Sequence, residues 1–205
     1  MHADLETYWA ELSSVSQRMP LQLVARAAEL LLTCHREDKT VFVLGNGGSA
    51  ATASHFACDL AKGTRTEGCH SFRVVPLTDN MPLVTAWAND VSYDCVFAEQ
   101  LTSLVRPGDV VVAISASGNS PNIVAAARAA RGAGATVIAL TGRTGGRVRR
   151  LANLTIPVPA DRIELVEDAH AAVAHSLCVA LRGRLQALSG AETESPEPVV
   201  LDIAL

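Results

Sequence analysis

The feature that most constrains this chain is a unit it uses twice: a short apolar run, a turn of glycine and small polar residues, then an alanine-rich stretch. The first copy is Val41-Phe42-Val43-Leu44, then Gly45-Asn46-Gly47-Gly48, then a helix-forming segment from Ser49 to about Lys62. The second is Val110-Val111-Val112-Ala113-Ile114, then Ser115-Ala116-Ser117-Gly118-Asn119. There Ser120 is a good N-cap and Pro121 a good first helical residue. Strands that are apolar on both faces need helices on both faces, so the runs predict a parallel sheet inside two helical layers.

The rest of the chain fits the same plan. Apolar residues recur at helical spacing over residues 3–36, with Pro20 dividing two helices. Further strands are expected at 72–75, 137–140 and 154–158, and helices at 80–88, 94–104, 146–151 and 161–188. The expected fold is α/β: a three-layer, flavodoxin-like open parallel sheet of about five strands, with extra terminal helices. A chain of 205 residues with 49% apolar content suits one domain, here residues 1–188, followed by an acidic, flexible tail at 189–205. The long terminal helices carry more apolar surface than one small sheet covers, which predicts a homo-oligomer.

Composition removes several classes of function. The formal charge is −4 and no basic stripe is present, so nucleic acid is not expected as a partner. No apolar run reaches the roughly 18–20 residues of a membrane span, so no membrane partner is expected either. The N-terminal MHADLETYWAEL is neither a secretory nor a mitochondrial address. The five cysteines are scattered without a CxxC pair, as expected of reduced thiols in a cytoplasmic protein.

In an open parallel sheet, ligands bind at the carboxyl ends of the strands, near the topological switch point, and both turns fall there. The helix N-termini behind them favour an anion. Ser115, Ser117 and Ser120 add hydroxyl donors. Neither turn has the lysine of a triphosphate loop, and GNGGS does not match the dinucleotide GxGxxG, so no nucleotide cofactor is expected. A hydroxyl-rich cradle without a fixed cation suits a phosphate monoester.

His55 and Asp59 share a helical face at i, i+4. Such a pair is more often a surface pair than a site, but this one lies on the helix that leaves the first turn. The last helix carries Glu164, Glu167, Asp168, His170 and His175. Glu164 and Asp168 read as the solvated acidic start of a helix. His55, Asp59, Glu167 and His175 together would make an N/O-donor metal site suited to zinc. Glu167 and His175 are about 12 Å apart along one helix axis, so sharing an ion needs long side chains or a neighbouring subunit.

GNGGSAATASHFACDL, with ISASGNSPNIV, TGRTGG and the late histidine helix, resembles the SIS (sugar isomerase) domain family over residues 5–188, and within it the phosphoheptose isomerases. The resemblance implies interconversion of sedoheptulose 7-phosphate and D-glycero-D-manno-heptose 7-phosphate by a homotetramer with active sites at subunit contacts. It implies sugar-phosphate binding by Asn46, Gly47, Gly48 and Ser49, by Asn89 and Asp90, by Ser115, Ala116, Ser117 and Ser120, and by Glu167. Its metal or catalytic positions map to His55, Asp59, Glu167 and His175, with zinc as the ion. The family usually has Glu where Asp59 stands and Gln where Glu167 stands.

An aldose–ketose exchange needs a carbon base, an oxyanion stabiliser and a second acid/base group. Asp59 or Glu167 is the expected carbon base and His175 its partner. The serine turn would hold the phosphate and the Asn46 turn the sugar hydroxyls. Related domains also act as sugar-phosphate sensors or as scaffolds for the bacterial replication initiator, and an isomerase of another sugar phosphate is a further alternative. The full histidine and carboxylate set favours catalysis over a sensor, which needs only the phosphate turn.

Overall fold

The computed structural model describes residues 1–193, so residues 194–205, where most of the expected tail falls, lie outside the described residues. Two helices open the chain, α1 (His2–Gln17) and α2 (Leu21–Arg36), with Pro20 at the N-cap of the second. Then follow β1 (Thr40–Gly45), α3 (Gly48–Cys58), β2 (Arg73–Pro76), α4 (Met81–Asp90) and α5 (Ala98–Leu104). The second half runs β3 (Val110–Ser115), α6 (Pro121–Gly132), β4 (Thr136–Thr141), β5 (Leu154–Pro157) and α7 (Ile163–Thr193).

The five strands are parallel, in the order β2-β1-β3-β4-β5. The chain moves outward from β1 to β2, then returns to place β3 on the other side of β1, so the switch point lies between β1 and β3. Alternation along each strand divides the core. Val41, Val43, Val110, Val112 and Ile114 face α2, α3 and α7. Phe42, Leu44, Val111 and Ala113 face α5 and α6. A third cluster, with Val15, Val158, Leu165 and Val166, joins α1 to the start of α7.

Four boundaries differ from expectation, the first being the helix expected at 94–104, which is a 3-10 turn, Tyr93–Cys95, followed by α5 from Ala98. The helix after the first turn ends at Cys58 and passes into a π turn, Asp59–Gly63. The helix expected at 146–151 is a single 3-10 turn, Val148–Arg150. Helix α7 runs to Thr193, so the first residues of the expected tail continue it. Apolar spacing shows where a helix exists, but not where its hydrogen bonds change from i+4 to i+5 or i+3. Among the described residues no helix is long and apolar enough to cross a membrane.

Candidate functional site

At the C-terminal end of β3 the chain turns through Ser115–Ser120 into α6. The Gly118 amide donates to the Ser115 carbonyl (3.0 Å) and hydroxyl (3.2 Å), and the Asn119 amide to the Ser117 hydroxyl (3.1 Å). The turn rests backbone to backbone on the Thr141–Gly146 turn that follows β4. There Gly142 donates to the Ala116 carbonyl at 2.8 Å, and a Cβ on Gly118 (φ +62°) would meet the Gly145 carbonyl oxygen at 2.2 Å. Ser120 is the N-cap of α6 but makes no side-chain capping bond, which leaves its hydroxyl available to a ligand.

The first turn closes a cavity of about 170 Å³ against the second, lined by Asn46, Ser49, Ser115, Ala116, Ser117, Ser120, Ile163 and Glu167. Asn46 bridges the two strand ends. Its amide and that of Asn122, the second residue of α6, exchange hydrogen bonds at 2.9 Å in both directions. The Tyr93 hydroxyl adds a third bond, to Asn46 Oδ1 at 3.0 Å. Opposite them, Glu167 reaches from α7 to the N-terminus of α3. A Cβ on Gly48 would lie 2.6 and 2.7 Å from its two carboxylate oxygens, so glycine is what lets the carboxylate approach. The open helix N-terminus favours the negative charge there.

A second cavity of about 170 Å³ lies further along α3 and α7, lined by Ala51, Thr52, His55, Phe56, Asp59, Ala171, Ala174 and His175. His55 Nε2 and His175 Nε2 are 3.5 Å apart, and Asp59 Oδ2 is 3.5 Å from the first and 3.6 Å from the second. The point equidistant from these three atoms is about 2.0 Å from each, the usual length of a Zn–N or Zn–O bond. Two imidazole nitrogens and a carboxylate oxygen converging in this way fit a zinc ion. Among the described residues, these three form the group able to hold a metal ion.

Not every expected residue joins these cavities. Within one chain Glu167 stands outside the metal triangle: it is eight residues before His175, and its carboxylate lies close over Gly48 in the first cavity. Asn89 and Asp90 end α4, pair with each other at 2.8 Å, are exposed and line neither cavity. Gly47 is the N-cap of α3. Asn122, Tyr93 and the π turn that carries Asp59 escaped the sequence reading. Asn122 sits in the helix-starting Ser-Pro-Asn, the one local sign that its amide could serve the turn.

Glu167, Ala171 and His175 follow one another at four-residue intervals on α7, facing Gly48, Thr52 and His55 on α3. The two cavities thus succeed one another between the two helices, with alanines between. From Glu167 to His175 the axial distance is about 12 Å. The hydroxyl-lined end suits a phosphate and the histidine end suits proton transfer.

A family model for the SIS domain matches residues 7–142. The chain is 36% identical over 165 residues to a phosphoheptose isomerase of Trichlorobacter lovleyi, covering 79% of this chain and 84% of that protein. It is 40% identical over 158 residues to one of Coxiella burnetii, covering 76% and 79%. The solved structure of a phosphoheptose isomerase from Neisseria gonorrhoeae superimposes with a TM-score of 0.83 at 34% identity, covering 89% of this chain and 98% of that one.

Proposed function

The chain belongs to the SIS domain family, and from that premise we propose that it is a phosphoheptose isomerase, interconverting sedoheptulose 7-phosphate and D-glycero-D-manno-heptose 7-phosphate. The observation that carries this reading is the pairing, along one helix–helix seam, of a serine-lined cavity with the His55–Asp59–His175 triangle.

The 7-phosphate sits on the serine turn, where Ser115, Ser117 and Ser120 and the N-terminus of α6 receive it. The sugar then runs along the α3–α7 seam, its hydroxyls beside Asn46 and Glu167, and C1 and C2 reach the triangle. Asp59 is the carbon base, because it is the carboxylate at that end. The Asp59 oxygen outside the triangle also carries the proton between the two sugar oxygens, and the alkoxide-like charge that develops is met by the same polar cluster. Glu167 accepts hydrogen bonds from sugar hydroxyls midway. His55, Asp59 and His175 would hold one zinc per subunit; when bound, zinc supplies a Lewis acid for the carbonyl oxygen. No nucleotide takes part.

The protein acts as a cytoplasmic homotetramer, a reading supported by its five free cysteines and by Leu5, Trp9 and Leu21 standing exposed on α1 and α2. Asn89 and Asp90 would then serve a site completed at a subunit contact.

The test is proton exchange in D2O. The wild-type chain given sedoheptulose 7-phosphate is expected to place solvent deuterium at C1 or C2, to lose this after chelation and to regain it with zinc. Asp59→Asn is expected to fall by at least about a hundredfold, within the range ascribed to a general base. Exchange by Asp59→Asn at the wild-type rate, or no exchange by the wild-type chain, rules the reading out.

A further inference from the structure

Asn46 faces the serine-lined cavity, yet an amide can present either a donor or an acceptor, and the sequence does not say which. The hydrogen bonds around it decide. The main-chain amide of Ile123 can only donate, and it lies 2.9 Å from one side-chain atom of Asn122, which must therefore be the oxygen. The other end of Asn122 is then its NH2, and it donates to Asn46 at 2.9 Å, so the receiving atom of Asn46 is its oxygen. It follows that the NH2 of Asn46 donates back to Asn122 Oδ1, and that the Tyr93 hydroxyl, at 3.0 Å from Asn46 Oδ1, is a donor too.

Every acceptor direction of Asn46 is thereby taken, and one of its two N–H bonds is used. The remaining N–H is what Asn46 can offer the cavity it lines. Asn122 is only 1% exposed, so water cannot compete to turn the pair around. Tyr93 stands in the 3-10 turn Tyr93–Cys95, so a third segment of the chain is tied to the same atom.

We propose that Asn122 and Tyr93 are positioning residues that hold Asn46 as a hydrogen-bond donor to a ground-state oxygen of the bound sugar phosphate. Neither touches the ligand; each acts through Asn46. The inference rests on the sugar-phosphate isomerase reading above and adds to it the polarity of one wall of the site.

The experiment is a set of coupled variants, each read as kcat and KM for sedoheptulose 7-phosphate and as Kd by calorimetry. Asn122→Asp replaces a donor with an acceptor facing the oxygen of Asn46, and Tyr93→Phe removes the hydroxyl alone. Loss of a positioned neutral bond is expected to raise KM and Kd by about tenfold in Asn122→Asp and about threefold in Tyr93→Phe, with kcat changed less. On an Asn46→Ala background both losses should vanish, because the N–H they orient is gone. A merely structural role would leave them in place.

Losses that persist on that background, or Tyr93→Phe binding as the wild type does, overturn the proposal; should Asn122→Asp fail to fold, Tyr93→Phe, whose residue is half exposed, decides alone. A wild-type chain that neither binds nor turns over sedoheptulose 7-phosphate overturns the isomerase reading instead, and this inference with it.

Discussion

At the scale of single residues, several titratable groups are held away from water. His170, one turn after Glu167 on α7, is 1% exposed, and neither ring nitrogen has a hydrogen-bond partner among the described residues. Burial pushes its pKa down from 6.5 to about 4, and the nearby Thr141 main chain offsets only part of that. The imidazole is therefore neutral in the folded chain, whereas the unfolded chain takes up a proton below pH 6.5. Between pH 6.5 and about 4 the unfolded state binds more protons, so stability falls as the pH falls. The full shift is worth about 3 kcal/mol. Denaturant titrations at pH 7 and pH 4.5 should show a loss that His170→Leu reduces; an identical loss in the variant would put the acid sensitivity elsewhere. The same low polarity governs Cys34 and Cys178, whose thiols burial pushes up to about 12, so they are not expected to act as nucleophiles at neutral pH.

At the scale of elements, the phosphate turn is only as firm as the turn beneath it. Gly118 and Gly146, both with positive φ, let the Ser115–Ser120 and Thr141–Gly146 segments meet at backbone contact. Gly118→Ala would place a methyl 2.2 Å from the Gly145 oxygen while holding a left-handed backbone. A cost of about 2 kcal/mol or more is expected, together with a weaker Km for the phosphorylated substrate. Thermal unfolding and steady-state kinetics check both, and an unchanged Tm would show that the two turns separate freely. The π turn belongs to the same scale. It begins at Asp59, whose own dihedrals are still helical (φ −66°, ψ −40°) and whose amide still donates to the His55 carbonyl. His55 and Asp59 therefore keep the i, i+4 pairing of an ordinary helix, and the widening falls beyond them. Most of the strand and helix positions were legible in the sequence, because continuous apolar runs and helical spacing leave few alternatives. The π turn was not, since an i+5 bond has no residue signature of its own.

At the scale of the whole molecule, α1 packs on the beginning of α7 and keeps most of its own surface outside. Tyr8 bonds Asp168, Arg162 pairs with Glu11 at 2.6 Å, and Val15 is the one buried residue of α1. Trp9, 68% exposed, and Leu5, 57% exposed, lie on the outer side. The homotetramer proposed above would cover them if it assembles through α1. Trp9→Glu is therefore expected to lower the assembled mass in sedimentation without unfolding the sheet, and an unaltered mass would place the interface away from α1. The same experiment bears on Asn89 and Asp90, which join neither cavity of one chain and need a neighbour's contribution to take part.

The opening pattern, an apolar run, a turn and an alanine-rich helix used twice, was enough by itself to determine the layered parallel sheet and the rim on which both turns lie. Period and apolarity are local properties, and the ends of parallel strands have nowhere to go but one rim. The sequence also supplied His55 and Asp59 as a four-residue pair, and His175 on the last helix, as donors, because spacing within one helix and residue chemistry survive folding. What only the tertiary structure decided was which of these meet. The crossing of α3 and α7 brings three of the four proposed ligands to within bonding reach of one point, and turns Glu167 toward Gly48. The lock on Asn46 likewise needed Asn122, 76 positions away, and Tyr93. Such contacts depend on the relative placement of whole elements, and no spacing along the chain encodes it.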